Sequence, residues 1–325
     1  MSEIVDLTEF SKKDDTDEQE YHPETEPEVL LENVYNDNEE GLNESPSISV
    51  ENITIKITES EPVVESPVES ESEPINVIPR LVFIVPYRDR EAHYKIFSST
   101  MKSALEKWHP YKILYVHQND KRSFNRGAMK NIGFLVIKKM YPLDYRNITL
   151  IFNDIDTMPA NGIELNYDTQ PGNIKHFYGF DYTLGGIVSI KCSDFERLNG
   201  FPNFWAWGFE DNLLQMRVNK LGMKIDRSEF YKIRDPKIIQ LTDTPIREVN
   251  SEEYNRFLKN TPEGISSITD LDYIVDNKTG FVDVFNFNTT ANENVQKRTD
   301  YDLRNGPAPF KQSLIRRKPA MRMHF

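Results

Sequence analysis

The sequence predicts an α/β domain with a mainly parallel sheet flanked by helices, preceded by an acidic tail, and three observations predict it. "RLVFIVPYRDR" (80–90) holds an unbroken apolar run from Leu81 to Val85 closed by Pro86, the pattern of a strand buried on both faces. Strand-like segments then alternate with helix-length ones, as in sheets built from strand–helix–strand units. The first 76 residues carry 23 Asp and Glu against 3 Lys and Arg, with repeated Glu, Pro and Ser. Such a composition buries too little apolar surface to offset chain entropy.

After the strand at 80–90, a helical pattern runs from Glu91 to Lys107. A second strand, "YKILYVHQ", is expected at 111–118, a second helix from Phe124 to Lys139, and a third strand, "ITLIFND", at 148–154. "FERLNGFPN" reads as a helix end stopped by Gly200 and Pro202. A further helix from Glu210 to Leu221 carries Glu210 and Asp211 in its first turn, where the helix dipole favours carboxylates. The expected organisation is a disordered acidic tail (1–76), a folded domain (77–290) and a basic C-terminal extension (291–325). Within the tail, "SVENITIKIT" (49–58) alternates like a strand, against a background that reads as disorder.

The charge is divided unevenly. The whole chain is −13 and the tail −20, so residues 77–325 are +7. That mild surplus, beside so acidic a tail, argues against nucleic-acid binding and suggests instead that the tail docks a basic partner. No stretch approaches the ~18 apolar residues of a membrane span. "MSEIVDLTEF" does not read as a signal peptide, and the single cysteine, Cys192, excludes an internal disulfide. These features predict a soluble protein of the cytoplasm.

In parallel sheets, ligands sit at the C-terminal ends of strands. "PYRDR", "HQND" and "NDID" fall at such ends, while neither a dinucleotide fingerprint nor a P-loop occurs. Strand alternation would place Asp154 and Asp156 on one face, with Ile155 turned into the core. Two carboxylates aimed at one spot suit a divalent cation. Arg88, Arg90 and Arg126 offer forks for phosphate, and Gly185-Gly186 allows backbone to approach a ligand closely.

These segments, in order, resemble the β-1,4-galactosyltransferase family: "VPYRDR", "FNRGAMKNIGF", "NDID", "LGGIVSI" and "NGFPNFWAWGFEDN". The spacing around "FWAWGFED" is most similar to the xylosylprotein galactosyltransferase branch. The resemblance covers roughly residues 80–275 and implies a GT-A fold and an inverting transferase. Such an enzyme moves a sugar, galactose or a related hexose, from a UDP-linked donor to a carbohydrate or glycoprotein acceptor. It implies Asp211 as catalytic base, Glu210 on acceptor hydroxyls and Trp207 lining the sugar pockets. It also implies a donor site of Pro86, Arg88, Arg90, Arg126, Asp154, Asp156, Gly185 and Gly186, with Asp156 as a ligand of Mn²⁺ or Mg²⁺.

The sequence departs from that pattern in two places. Asn212 stands where the family has a second acidic residue, and Phe209 where it has glycine or arginine. The strand that brings Met-x-x-His or His-x-His to the metal is "PKIIQLTDTP" (236–245), which has no histidine. Asp243 is the candidate replacement, giving an all-oxygen site; otherwise basic residues neutralise the diphosphate. A second reading is therefore a GT-A domain that has lost catalysis and binds a carbohydrate or a partner.

Overall fold

The apolar run at Leu81–Val85 is buried throughout, and its alternation feeds two layers. In this computed structural model, which describes residues 77–306 and 309–310, the elements follow in chain order. They begin with β1 (Leu81–Tyr87), α1 (Glu91–Ala104), β2 (Tyr111–Gln118), α2 (Arg126–Met140), β3 (Thr149–Asn153), β4 (Thr157–Pro159) and β5 (Asn173–Gly179). Next come β6 (Ile187–Lys191), α3 (Cys192–Arg197), α4 (Glu210–Lys220), β7 (Lys224–Asp226), β8 (Tyr231–Lys232) and β9 (Ile238–Gln240). The last are β10 (Ile246–Asn250), α5 (Ser251–Leu258), β11 (Thr269–Val275), β12 (Phe281–Asn288) and β13 (Arg298–Asp302). The acidic tail, "SVENITIKIT" and the basic stretch 311–325 lie outside the described residues.

Leu81, Phe83 and Val85 pack with Phe97 and Met101 of α1, whereas Val82 and Ile84 pack with Ala128, Met129 and Ile132 of α2. Each such side chain contributes about 1.5–3 kcal/mol on burial, so β1 anchors both layers. Gly133 lets α2 lie close on the sheet, because a Cβ there would stand 2.6 Å from Ile84.

Among the described residues the main sheet has nine strands, in the order β11-β12-β2-β1-β3-β6-β5-β7, with β8 also on β5. β1 pairs in parallel with β2 and β3, and β12 pairs in parallel with β2, while β6 runs antiparallel to β3 and β5. This is the expected mixed, mainly parallel sheet. Two short antiparallel pairs sit apart from it: β4 with β9, and β10 with β13. Residues 298–302, assigned from sequence to the C-terminal extension, thus form a strand on β10. The first helix stops at Ala104 rather than Lys107 and is followed by a 3₁₀ turn at Glu106–Trp108.

Candidate active site

"NDID" does not continue the strand. β3 ends at Asn153, and the chain turns through Asp154–Asp156, with Thr157 N–H donating to Asp154 O at 3.1 Å. Asn153 locks the turn, its amide donating to the carbonyls of Asp154 and Thr157, both at 2.8 Å. Ile155 is buried in the α1-side layer as expected, but turn geometry rather than strand alternation brings the two carboxylates together. Burial first, and the neighbouring Asp154 second, push the Asp156 carboxyl up to about 6.

Arg126, at the first position of α2, joins three parts of the sequence. Its fork meets Asp154 at 2.7 Å through Nη2, and Nη1 meets Asp211 at 2.9 Å and Glu210 on the first turn of α4. Lys130, one turn along α2, reaches Asp211 Oδ1 at 3.0 Å and lies over the Phe201 ring. Burial alone would raise Asp211, but Arg126 and Lys130 outweigh it and hold the carboxyl below its ordinary value. Burial, aided by Arg126, lowers the Lys130 ammonium. Asp154, Glu210 and Asp211 thus form one cluster with two cations.

The turn that delivers Glu210 and Asp211 is strained. Ala206 and Phe209 hold φ of +70° and +72°, and Gly208 holds +109°. Non-glycine residues in this region cost on the order of 1–3 kcal/mol each. Phe209 is held there by packing, its ring stacked on Phe257 at 4.9 Å and beside Tyr254 at 5.0 Å. The two tryptophans divide. Trp205 is core, stacked on Phe287, with Nε1 donating to Ala291 O. Trp207 is 37% exposed, and its backbone N–H donates to Glu248 O of β10.

Gly185 and Gly186 back this cluster. A Cβ on Gly185 would lie 2.5 Å from Asp211 Oδ2, and one on Gly186, at φ +68°, would lie 2.3 Å from Tyr178 O. Beneath them His176 Nε2 meets the carbonyls of Tyr178 and Gly185 at 3.0 and 3.1 Å, and Arg227 Nε donates to His176 Nδ1 at 3.1 Å. That pattern assigns the neutral Nε2–H tautomer. Burial, then Arg227, push its pKa down to about 4.

The donor-side residues are divided. Pro86 is buried in β1. Arg88 turns to the loop after β2, donating to the carbonyls of Asp120 and Arg122 at 2.6 Å and to Asp120 Oδ1 at 3.1 Å. Arg90 forks onto Asp243, both N–H···O contacts at 2.6 Å. Leu241 N–H donates to Asp156 O at 2.8 Å, bringing the β9 end against the turn.

A divalent cation finds few donors here. Asp243 commits both oxygens to Arg90. The Gln240 side-chain oxygen accepts from the Tyr178 hydroxyl at 2.7 Å. Among the described residues no group of three or more His, Cys, Asp or Glu could hold a metal. The residues present do not fit a dedicated metal site, because Asp243, the expected partner of Asp156, is forked by Arg90.

Sequence reasoning missed Lys130 and Arg247. Lys130 carried a signal, lying four residues after Arg126 and so on the same helix face. Arg247, whose Nη1 stands 3.5 Å from Asp243 Oδ2, carried no pattern.

A mixed, mainly parallel sheet with a carboxylate turn after a central strand and an acidic helix start beside an exposed tryptophan is that of a GT-A glycosyltransferase. The family profiles described as the N-terminal region of glycosyl transferase group 7 and the N-terminal domain of galactosyltransferase match residues 39–168 and 173–240. The chain belongs to the β-1,4-galactosyltransferase family of enzymes.

Xylosylprotein 4-beta-galactosyltransferase of Caenorhabditis elegans is 29% identical over 219 residues, 61% of this chain and 72% of that protein. Human beta-1,4-galactosyltransferase 4 is 32% identical over 158 residues, 46% of this chain and 45% of that protein. Of the beta-1,4-galactosyltransferases 2 and 4 that it matches, the chain spans about half the length. The catalytic domain of Drosophila beta1,4galactosyltransferase 7, solved with xylobiose, shares the fold. Its TM-score is 0.52 at 18% identity, over 66% of this chain and 96% of that one.

The family overturns the cytoplasmic expectation, because its β-1,4-galactosyltransferase members are Golgi type II membrane enzymes. The expectation rested on one cysteine, the lack of a long apolar run and an N-terminus unlike a signal peptide, none of which identifies a compartment. Among the described residues no helix is long and apolar enough to cross a membrane.

Proposed function

We propose that this protein transfers a hexose, galactose or a close relative, from a UDP-sugar to a sugar hydroxyl of a carbohydrate or glycoprotein, with inversion. The observation that carries the reading is the Arg126 cluster, which links the donor-side Asp154 to the acceptor-side Glu210 and Asp211 next to exposed Trp207. The acceptor oxygen forms a bond to the anomeric carbon as that carbon's bond to the diphosphate breaks. The bonding electrons leave with the nucleoside diphosphate, and the hydroxyl proton passes to Asp211. Held below its ordinary value, Asp211 stays ionised at neutral pH. It is a weak base, suited to taking the proton late, as attack acidifies the hydroxyl. Trp207 offers a flat apolar face to a sugar ring, and Glu210 an acceptor for its hydroxyls.

The test is transfer from a panel of UDP-sugars to xylosides and N-acetylglucosaminides, with the product anomer read by NMR. The reading expects a β-linked product from an α-linked donor, and a retained anomer or no transfer from any donor would overturn it. One observation favours a second reading: Arg126 and Lys130 both occupy Asp211, as in a domain kept for binding alone. Carbohydrate binding without turnover in the same panel would select that reading.

A further inference from the structure

Asp243 carries two guanidinium groups. Arg90 leaves the end of β1 and forks onto it, and Arg247 approaches Oδ2 at 3.5 Å while its Nη1 also donates to the carbonyls of Thr244 and Ile246. The Asp243 side chain is 15% exposed, those of Arg90 and Arg247 38% and 24%. The carboxylate is therefore the most covered of the three, and both guanidinium groups keep a solvent-exposed part. Among the described residues Arg90 Nε, Arg247 Nε and Arg247 Nη2 make no hydrogen bond, so donors remain for an incoming anion. The pair stands at the C-terminal end of the sheet, where α/β folds take their ligands. The neighbouring carboxylate, Asp156, feels Arg90 electrostatically.

The places where a cation could be held are taken. Asp243 has no oxygen free of Arg90, and Gln240 is turned to Tyr178. A divalent ion on Asp156 alone would sit beside the Arg90 guanidinium, which repels it. Breaking a sugar–diphosphate bond still requires positive charge on the leaving oxygens, and planar forks supply it with matched geometry.

Resting on the glycosyltransferase reading above, we propose that Arg90 and Arg247, mounted on Asp243, clamp the diphosphate of the nucleotide donor and take the place of a divalent cation there.

The test is calorimetric titration of the full chain with UDP and with uridine, in EDTA and in Mn²⁺, for the wild type and Arg247→Gln. The clamp predicts a UDP Kd that changes less than about twofold between EDTA and Mn²⁺. It predicts that Arg247→Gln weakens UDP about tenfold or more in EDTA, the loss expected for a hydrogen bond to a charged group, while uridine binding is unchanged. UDP binding that requires Mn²⁺ would overturn the clamp and leave the glycosyltransferase reading standing. So would unchanged UDP affinity in a folded Arg247→Gln. No UDP binding in either buffer would overturn both. The wild-type comparison decides the metal question even if the variant does not fold.

Discussion

The two ends of the site balance charge in opposite ways. Around Asp211, three carboxylates (Asp154, Glu210 and Asp211) share two cations, the largely covered Arg126 and the buried Lys130. Around Asp243, a single carboxylate supports two partly exposed guanidinium groups. Anions in excess suit the place where a proton is to be accepted, and cations in excess suit the place where a diphosphate is to leave. One fold thus sorts charge by chemical step, using side chains distant in sequence.

The largest expected effect tests the proton-accepting end. Asp211→Asn should lower transfer by about 10²–10⁴-fold, the usual contribution of a general base. UDP affinity should change little, because the diphosphate end is untouched. Equal turnover in the variant would remove Asp211 from the mechanism.

Stability should separate the two ends next. Arg126→Met leaves three carboxylates facing one another and should cost about 3–5 kcal/mol, as for a buried pair stripped of one partner. Arg90→Met, on a more exposed pair, should cost no more than about 1 kcal/mol. Chemical denaturation of both variants gives the comparison, and equal costs would erase the distinction between a buried and an exposed network.

The smallest effect lies beneath the glycine pair. An unfolded imidazole titrates near 6.5, whereas folded His176 is pushed down to about 4. Between those values the unfolded chain holds a proton that the folded one does not. Stability is therefore intact above about pH 7 and declines as pH falls toward 4, the loss from this group reaching roughly 2 kcal/mol at pH 5. Urea unfolding at pH 7.5 and pH 5, compared with His176→Asn, isolates the term, and an identical slope in the variant would assign it elsewhere.

Much of the fold was legible because burial writes itself into sequence. Leu81–Val85 could only be a strand covered on both faces, and 111–118 and 210–220 came out within a residue of their observed limits. "NDID" was legible as a site but not as a shape, since alternation describes a strand and says nothing of where the strand ends. Arg88 was read as a nucleotide contact because strand ends face ligands, yet Asp120, two residues beyond the next strand, captures it. Trp205 and Trp207 looked alike in sequence, and one lies in the core while the other faces solvent, a distinction that depends on three residues of positive φ around them. The Arg90–Asp243 pair joins residues 153 positions apart, and no local pattern announces such a contact.

The adjacent glycines also set the mutational tolerance of this region, and they do so by different routes. A methyl group at 185 meets the Asp211 carboxylate where Arg126 and Lys130 hold it, whereas one at 186 meets the Tyr178 backbone from a conformation that L-residues avoid. Replacements at 185 push on a side chain, so they displace the base first and strain the Arg126 and Lys130 contacts with it. Replacements at 186 have nothing flexible to push. In a saturation library, loss at 185 would appear first in product formation and loss at 186 first in soluble yield, so two neighbouring codons would weigh chemistry and folding differently.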